Sequence, residues 1–285
     1  MTDTPRSFLA AVVQLCSTED IVANVDAAEA QIRKAASLGA RLIAIPETFA
    51  FLRISARTPE PIIGLDHSIV IRMCALAEEL GIDLVLGSIP EPSTVADKVH
   101  NTSVYIGPDG AIRGTYRKLH LFDIDIPGRV TLKESDHMTP GAEPVVVQGT
   151  YAPVGLSICY DLRFPELYRE LTMRGAKVLT CPAAFTLHTG KDHWLPLLRA
   201  RAIENQSWVI APGQAGFHGG KRHSYGKSVI IDPWGLPVAL ASDGVGIAIA
   251  EIDLDLQDRV REGLPCAQHR HEYFWDAPSS GDSEG

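Results

Sequence analysis

Short runs rich in Val, Ile and Leu alternate with amphipathic stretches of helical period along most of this 285-residue chain. The first unit has an apolar run at residues 9–13, a helical pattern at 24–38 and a second apolar run at 42–45. Another helical pattern at about 65–80 leads to a further apolar run at 83–87. This repeated order of strand, helix and strand predicts an α/β protein.

Two later segments indicate antiparallel pairing within that architecture. Strands predicted at residues 103–106 and 111–116 flank the sequence Gly-Pro-Asp-Gly, and strands predicted at 229–232 and 236–240 flank Pro-Trp-Gly. These turn residues favour tight β-hairpins. We therefore expect mixed sheets rather than a purely parallel sheet.

The part of the chain between these hairpins continues the alternation, and no linker or short repeat divides the sequence. We therefore expect a single domain over residues 1–276, followed at 277–285 by a small, polar tail that is disordered. The remaining predicted elements are strands at 154–158, 178–181 and 208–211, a helix at 165–174 and a helix that ends near residue 204.

Composition and charge exclude several classes of protein. With 45% hydrophobic and 21% charged residues, the chain is neither disordered, nor collagen-like, nor a coiled coil. Its formal net charge of -9 argues against binding to nucleic acid or to an anionic membrane. Residues 1–6 lack the features of a signal peptide, and no run approaches the roughly 18 apolar residues of a membrane span, so we expect a cytoplasmic protein.

The five cysteines are odd in number, widely spaced and without a Cys-x-x-Cys pair, which suggests neither a disulfide framework nor a zinc site. Cys159 has the most informative position, because an apolar strand ends on it and a helix begins a few residues later. A positive charge such as that of Arg163, or a neighbouring helix N-terminus, is a feature that lowers the pKa of a thiol and favours the nucleophilic thiolate. The alternative is a small buried hydrophobe, which we expect for the other four cysteines.

A nucleophilic thiol needs a base, and none of the ten histidines lies in a cysteine-protease signature. Glu47 offers a carboxylate where an apolar strand ends at Pro46, and open α/β sheets place their sites at such strand ends. Lys118 offers a positive charge of the kind that stabilises an oxyanion. Taken alone, the two residues also fit an exposed loop glutamate and a surface lysine.

Three motifs that occur in a fixed order add to this pattern: PETF at residues 46–49, YRKLHLFD at 116–123 and SICYDLRFPEL at 157–167. In these motifs the chain resembles the nitrilase, or carbon–nitrogen hydrolase, superfamily, and the similarity extends from about residue 9 to residue 275. The resemblance implies an α/β fold of the nitrilase type, which is a four-layer α-β-β-α sandwich with two mixed sheets.

The resemblance also implies catalytic roles for particular residues. Glu47 would be the general base, Lys118 the cation that stabilises the oxyanion, and Cys159 the nucleophile. The backbone N–H of Tyr160 would be a second oxyanion donor, and Glu134 matches the supporting second glutamate of the family. The implied reaction is hydrolysis of a linear amide through a thioester, without a metal or an organic cofactor.

Within the superfamily, residues 184–190 and 197–206 are similar to the branch that contains deaminated glutathione amidase and omega-amidase. The acyl group in this branch is a 2-oxoglutaryl unit. Its keto-acid end is bound at positions that match Arg163, Phe185 and Thr189. An arginine suits a carboxylate because it donates a bidentate pair of hydrogen bonds.

Some segments distinguish the two members of the branch. Residues 122–128 look like omega-amidase, whereas residues 163–167 and 221–226 look more like deaminated glutathione amidase. Lys227 departs from the pattern, since relatives commonly have histidine there, which leaves fine substrate preference open. We predict hydrolysis of deaminated glutathione to 2-oxoglutarate and cysteinylglycine. The alternatives are omega-amidase activity on 2-oxoglutaramate or 2-oxosuccinamate, or hydrolysis of another small aliphatic amide or N-carbamoyl amine.

Two other classes of function have weaker support. A metal hydrolase would use His269 with His271, or His218 with His223, but short histidine pairs arise by chance in a chain with ten histidines. A catalytically silent binding protein is disfavoured because all three predicted catalytic residues are present. Besides a small-molecule amide, the resemblance implies one partner, a second copy of the chain in a homodimer or a multiple of dimers.

Overall fold

The computed structural model describes residues 5–55, 57–126 and 130–271. Its helices in chain order are α1 (Ile21–Ser37), α2 (Ser68–Leu80), α3 (Pro165–Met173), α4 (Leu187–Asn205) and α5 (Leu254–Gly263). Its strands in chain order are β1 (Ser7–Gln14), β2 (Leu42–Ala44), β3 (Asp83–Pro92), β4 (Val99–Ile106), β5 (Ile112–Arg117), β6 (Asp123–Ile126), β7 (Val130–Lys133), β8 (Val145–Gln148), β9 (Pro153–Leu156), β10 (Val178–Thr180), β11 (Trp208–Ala211), β12 (Ala215–Gly219), β13 (Arg222–Tyr225), β14 (Val229–Ile231), β15 (Pro237–Leu240) and β16 (Gly246–Asp253).

Two six-stranded sheets form the centre of the molecule, with strand orders β16-β1-β2-β3-β4-β5 and β15-β14-β11-β10-β9-β8. In the first sheet β1, β2 and β3 are parallel, and β16, β4 and β5 are added antiparallel to their neighbours. In the second sheet β9, β10 and β11 are parallel, and β8, β14 and β15 are antiparallel. The predictions of an α/β fold and of mixed sheets are confirmed.

Alternate residues of β1 belong to two different hydrophobic cores, because successive side chains of a strand point to opposite faces. Ala10 and Val12 belong to the core that also contains Val154 and Leu156 of β9 in the second sheet. Their neighbours in β1 pack instead with buried residues of α1 and α2. Helices α3 and α4 pack against strands of the second sheet. The layers therefore follow the α-β-β-α order that the resemblance implies.

The helices begin and end where local chemistry allows it. In α1 the buried side chains recur at helical spacing from Val25 to Ala35, and the Asp20 carboxylate accepts a hydrogen bond from Ala23 N at 3.1 Å. Helix α2 ends at Gly81, which adopts φ 60°, a left-handed conformation that glycine adopts readily. Apolar period and capping residues thus explain why these segments are helical.

Several elements were not predicted from the sequence: β6, β7, β8, β12, β13, β16 and α5. Strand β12, with the sequence AGFHG, has no alternating apolar pattern and pairs with β13 through a bulge at Phe217/Gly219. Strand β16 pairs with β1 along its whole length, from Ser7↔Asp253 to Gln14↔Gly246. The hairpin β12–β13 contributes to the site described below.

The prediction of one domain over residues 1–276 stays a prediction, and the polar tail at 277–285 lies outside the described residues. Within the described ranges, no helix combines the length and the apolar character that crossing a membrane requires.

Candidate active site

Three loops that follow strands of both sheets meet at one cavity of about 270 Å³. Glu47 follows β2, Lys118 directly follows β5, and Cys159 follows β9. All three line the cavity together with Glu134, which begins a short 3-10 turn after β7. The structure therefore brings together the four side chains to which the resemblance assigns catalysis.

The Glu47 carboxylate is 4% exposed and is held at both oxygens. Oε1 accepts hydrogen bonds from Asn101 Nδ2 at 2.8 Å and from Lys118 Nζ at 3.1 Å. Oε2 accepts a hydrogen bond from the backbone N–H of Ala184 at 2.8 Å. Three donors from separate parts of the chain thus fix the orientation of this carboxylate.

Lys118 is 2% exposed and lies between two carboxylates. Its Nζ donates to Glu134 Oε2 at 2.9 Å and to Glu134 Oε1 at 3.0 Å, in addition to its bond with Glu47. Burial lowers the pKa of Lys118, but the negative charges of Glu134 and Glu47 outweigh that effect and raise this pKa well above its usual value. The ammonium therefore remains charged at neutral pH.

Glu134 is positioned by the chain that follows Lys118. Its Oε2 accepts a hydrogen bond from the backbone N–H of Phe122 at 2.6 Å, and its Oε1 accepts one from Asn101 Nδ2 at 3.2 Å. Asn101, on β4, therefore donates to both glutamates of the site. Sequence reasoning missed Asn101, because an isolated asparagine within a strand carries no motif.

Cys159 begins the 3-10 turn Cys159–Arg163 and has φ 47°, which is unusual for a residue with a side chain. Its backbone N–H donates to Pro182 O at 2.9 Å, and its side chain is half-buried at the cavity wall. The sequence left the pKa of this thiol open. Burial and the negative charge of Glu47 raise the pKa of Cys159 well above its usual value, and the Lys118 charge only partly offsets them.

The turn that presents Cys159 is held by the fully buried carboxylate of Asp161. Asp161 Oδ2 accepts hydrogen bonds from Tyr116 Oη at 2.7 Å and from Ile158 N at 2.8 Å. Its Oδ1 accepts from the backbone N–H of His120 at 3.1 Å and pairs with His120 Nδ1 at 2.7 Å. Asp161 therefore connects the Cys159 turn to the segment that carries Lys118. Sequence reasoning did not assign it a role, although its position two residues after Cys159 in an apolar setting was a usable signal.

The three residues to which the resemblance assigns substrate binding occupy different positions. Phe185 and Thr189 line the cavity, whereas Arg163 is not among the described residues that line it. The Arg163 guanidinium lies 5.6 Å from the centre of the Phe185 ring, and its Nη2 approaches His193 Nδ1 at 3.3 Å. Arg163 thus lies next to a cavity-lining residue and outside the cavity wall itself.

The histidines offered as metal ligands have other surroundings. His218 is bound through Nδ1 to Ser17 O at 2.8 Å and through Nε2 to Ser224 Oγ at 2.9 Å. The His223 ring packs against Phe217 with 4.9 Å between ring centres. In the described part of the chain, no three His, Cys, Asp or Glu side chains are grouped as metal ligands would be.

Lys227, which departs from the pattern of the relatives, does not line the cavity among the described residues. Its Nζ pairs with Asp243 Oδ1 at 2.6 Å, and its backbone carbonyl accepts a hydrogen bond from Trp194 Nε1 at 2.9 Å. Lys227 therefore makes these contacts outside the cavity wall.

Comparison with known proteins agrees with this geometry. The chain matches the family described as carbon-nitrogen hydrolase over residues 9–262. A protein of Synechocystis sp. named deaminated glutathione amidase is 42% identical over 268 residues, which are 93% of this chain and 98% of that protein. The crystal structure of the Caenorhabditis elegans NitFhit protein has a TM-score of 0.85 and 40% identity, and the match covers 93% of this chain and 65% of that one. This chain thus spans just under two thirds of NitFhit.

A more distant structure shows how the site of a similar protein reacts. It is a variant of an amidase from Nesterenkonia sp., with 26% identity, a TM-score of 0.73, and coverage of 92% of this chain and 98% of that one. In that protein the acetamide moiety of fluoroacetamide is added covalently at the active-site cysteine.

The fold, the site and the match together show that this chain belongs to the carbon–nitrogen hydrolase family. It is an amidase of that family, a hydrolase that acts on carbon–nitrogen bonds other than peptide bonds.

Proposed function

We propose that this amidase hydrolyses deaminated glutathione to 2-oxoglutarate and cysteinylglycine, with Cys159 as the nucleophile. The observation that carries the substrate assignment is the 42% identity, over 93% of the chain, to a protein named deaminated glutathione amidase. The cavity supports it chemically, because cationic side chains line it in addition to the buried catalytic groups.

The resting nucleophile is a thiol, because burial and the Glu47 charge raise the pKa of Cys159. Attack therefore needs a base, and Glu47 takes the proton as Cys159 Sγ bonds to the amide carbonyl carbon. The carbonyl oxygen becomes an oxyanion, which the positive charge of Lys118 and the backbone N–H of Tyr160 stabilise. The neighbouring N–H groups of Cys159 and Asp161 are already bonded, to Pro182 O and Ile158 O.

The tetrahedral intermediate then breaks its carbon–nitrogen bond. The amine departs with the proton held by Glu47, and the acyl group stays on Cys159 as a thioester. Water loses a proton to Glu47 and adds to the thioester carbon. Collapse of this second intermediate breaks the carbon–sulfur bond, returns the proton to the thiolate and releases the acid. No step uses a metal or an organic cofactor.

Glu134 and Asn101 act as positioning residues in this proposal. Glu134 binds Lys118 through both carboxylate oxygens, and Asn101 donates to Glu134 and to Glu47. These contacts hold the base and the oxyanion-stabilising cation at one place. The keto-acid end of the acyl group is assigned to the wall that contains Phe185 and Thr189, with Arg163 beside it.

The test is the release of 2-oxoglutarate from deaminated glutathione and from 2-oxoglutaramate, measured in parallel, with Cys159→Ala as the control. We expect a much higher kcat/KM on deaminated glutathione and no turnover by Cys159→Ala. The reverse preference would identify an omega-amidase. Release from neither substrate by folded protein would contradict the 2-oxoglutaryl acyl group and leave the family assignment intact.

The nucleophile has a separate test that does not depend on the physiological substrate. Incubation with fluoroacetamide and peptide mass spectrometry should place an acetamide moiety on Cys159 and leave the exposed Cys266 unlabelled. Labelling of Cys266 alone would contradict the assignment.

A further inference from the structure

The hairpin β12–β13 places a second arginine in the cavity. Arg222, the first residue of β13, lines the cavity that also contains Glu47, Lys118 and Cys159. It is solvent-accessible at the cavity rim, and its charge interacts with those of Glu47 and Glu134. Neither the predicted catalytic set nor the keto-acid wall includes this residue.

The Arg222 guanidinium is held in place by the surrounding backbone. Its Nη1 donates to the carbonyl oxygen of Arg53, in the loop that follows Glu47. The turn of the hairpin approaches the same loop, since a Cβ added to Gly219 would lie 3.1 Å from the Ile54 side chain. At the other end of β13, Tyr225 N donates to Phe185 O at 2.9 Å. The strand therefore extends from the Phe185 wall to the Arg53 loop.

Arg222 differs in its partners from Lys118 and Arg53, two other cations that line the cavity. Lys118 is paired with Glu134 and Glu47, and Arg53 Nε lies 3.6 Å from Glu60 Oε2. Among the described residues, no carboxylate lies within ion-pair distance of Arg222. A guanidinium fixed at one N–H and without an acidic partner has donors available for an anionic group of a substrate.

Arg222 and the cavity wall that is assigned to the acyl group lie at different positions along β13. Ser224 forms a bridge with Thr186 in that wall, and Arg222 is two residues further along the strand. At about 3.4 Å per residue, the two positions are separated by about 7 Å. Arg222 is therefore separated along β13 from the residues that are assigned to the keto-acid end.

We propose that Arg222 binds the terminal carboxylate of the amine leaving group. It would thereby favour amides that release a short peptide with a free C-terminal carboxylate over amides that release ammonia. This inference rests on the proposed function, because it assigns the other end of the same substrate. The acyl end and the leaving-group carboxylate are then bound at opposite ends of β13, with the scissile amide between them.

The experiment compares wild-type enzyme with Arg222→Gln on deaminated glutathione and on 2-oxoglutaramate. We expect the ratio of the two kcat/KM values to fall about 10- to 100-fold in the variant, mainly through KM, because a charge-assisted hydrogen bond is lost for one substrate only. Lys221→Gln is the matched control, since Lys221 is exposed on the same turn and does not line the cavity. It should keep the wild-type ratio.

A change in the substrate tests the same contact without altering the protein. Deaminated glutathione that ends in glycinamide lacks the terminal carboxylate, so wild-type enzyme should lose the same factor on it, and Arg222→Gln should lose nothing further. If wild-type enzyme hydrolyses both forms equally well, the proposal is overturned, whether or not the variant folds. An equal loss by Arg222→Gln on both natural substrates would place Arg222 at the acyl end and also overturn it.

The failure of this inference is distinguishable from the failure of the proposed function. If wild-type enzyme releases no 2-oxoglutarate from either substrate, the proposed function fails and the inference fails with it. If wild-type enzyme prefers deaminated glutathione and Arg222→Gln keeps that preference, the inference alone fails.

Discussion

Lys118 and its two glutamates form a buried charged cluster that fits the proposed catalytic role better than a role in stability. Removing three charges from water is costly, and a buried ion pair often contributes little net stability compared with apolar packing. Here the cation is shared by the predicted base, Glu47, and by Glu134, which binds it through both oxygens. Sharing holds Lys118 charged and keeps the Glu47 carboxylate next to the thiol that it must deprotonate.

Glu134→Gln should lower kcat about 10- to 100-fold with a smaller change in KM, because the side chain positions Lys118 and does not contact substrate in our proposal. The negative charge of Glu134 raises the pKa of Lys118. Its removal should therefore lower that pKa and move the alkaline limb of the pH–rate profile to lower pH. Steady-state kinetics across pH will measure both effects.

The exposed Glu143→Gln is the matched control and should behave as wild type. A normal melting temperature for Glu134→Gln would show that the fold is intact. An unchanged kcat together with an unchanged alkaline limb would contradict the positioning role.

At the level of elements, the buried His218 is one of the residues that hold the hairpin β12–β13 in place. A carbonyl oxygen only accepts, so His218 Nδ1 donates to Ser17 O, and its neutral ring leaves Nε2 to accept from Ser224 Oγ. Burial lowers the pKa of His218, and the hydrogen bond to Ser17 O only partly offsets this effect. The neutral ring therefore links the hairpin to the segment after β1.

His218 should make the stability of the protein depend on pH. Because the pKa of His218 is lower in the folded state than its usual value of 6.5, its contribution is complete above about pH 6.5 and is lost as the pH falls below that value. His218→Gln should be less stable at pH 7.5, and its free energy of unfolding should change less between pH 7.5 and 5.5 than that of the wild type.

Chemical denaturation at these two pH values will test this. His223→Gln, on the same hairpin, retains His218 and should keep the wild-type pH dependence. If the free energy of unfolding of His218→Gln depends on pH as that of the wild type does, titration of His218 does not cause that dependence.

At the level of the whole molecule, helix α4 and the turn between β14 and β15 carry exposed apolar side chains. Ile203 on α4 is 47% exposed, and Trp234 and Leu236, in the turn between β14 and β15, are 59% and 53% exposed. The turn lies against α4, since Arg199 Nε donates to Gly235 O at 2.8 Å. Contiguous exposed apolar side chains commonly mark an interface between proteins. We therefore expect the second copy of the chain, which the resemblance implies, to bind at this surface.

Light scattering should therefore give about twice the monomer mass of 30.9 kDa, or a multiple of the dimer. Trp234→Ser should shift the population toward monomer, because it removes the largest of these exposed side chains. Val22→Ser is the control, since Val22 is 70% exposed on α1, in the other outer layer of the sandwich. A monomeric wild-type protein would contradict the prediction.

Much of the fold followed from local patterns. Short apolar runs predicted the two parallel strand sets, stretches of helical period predicted helices α1 to α4, and turn residues predicted both hairpins. Strands β12 and β13 were missed, because their sequences, AGFHG and RHSY, contain no apolar run. Contacts with the surrounding loops hold these two strands together. The same loops supply Arg53 and Phe185, whose backbone atoms position this hairpin.

The sequence by itself determined the α/β class and, through three ordered motifs, the family. The resemblance proposed Glu47, Lys118 and Cys159 within those motifs, and Glu134 outside them, as site residues. Only the tertiary structure decided that Asn101 and Ala184 N orient the base, that Asp161 holds the Cys159 turn, and that Arg222 lies in the same cavity. It also decided the direction of the thiol pKa shift, which the sequence left open. The physical reason is that periodicity and motifs are local, whereas burial, charge pairing and hydrogen bonding depend on residues far apart in sequence that packing brings together.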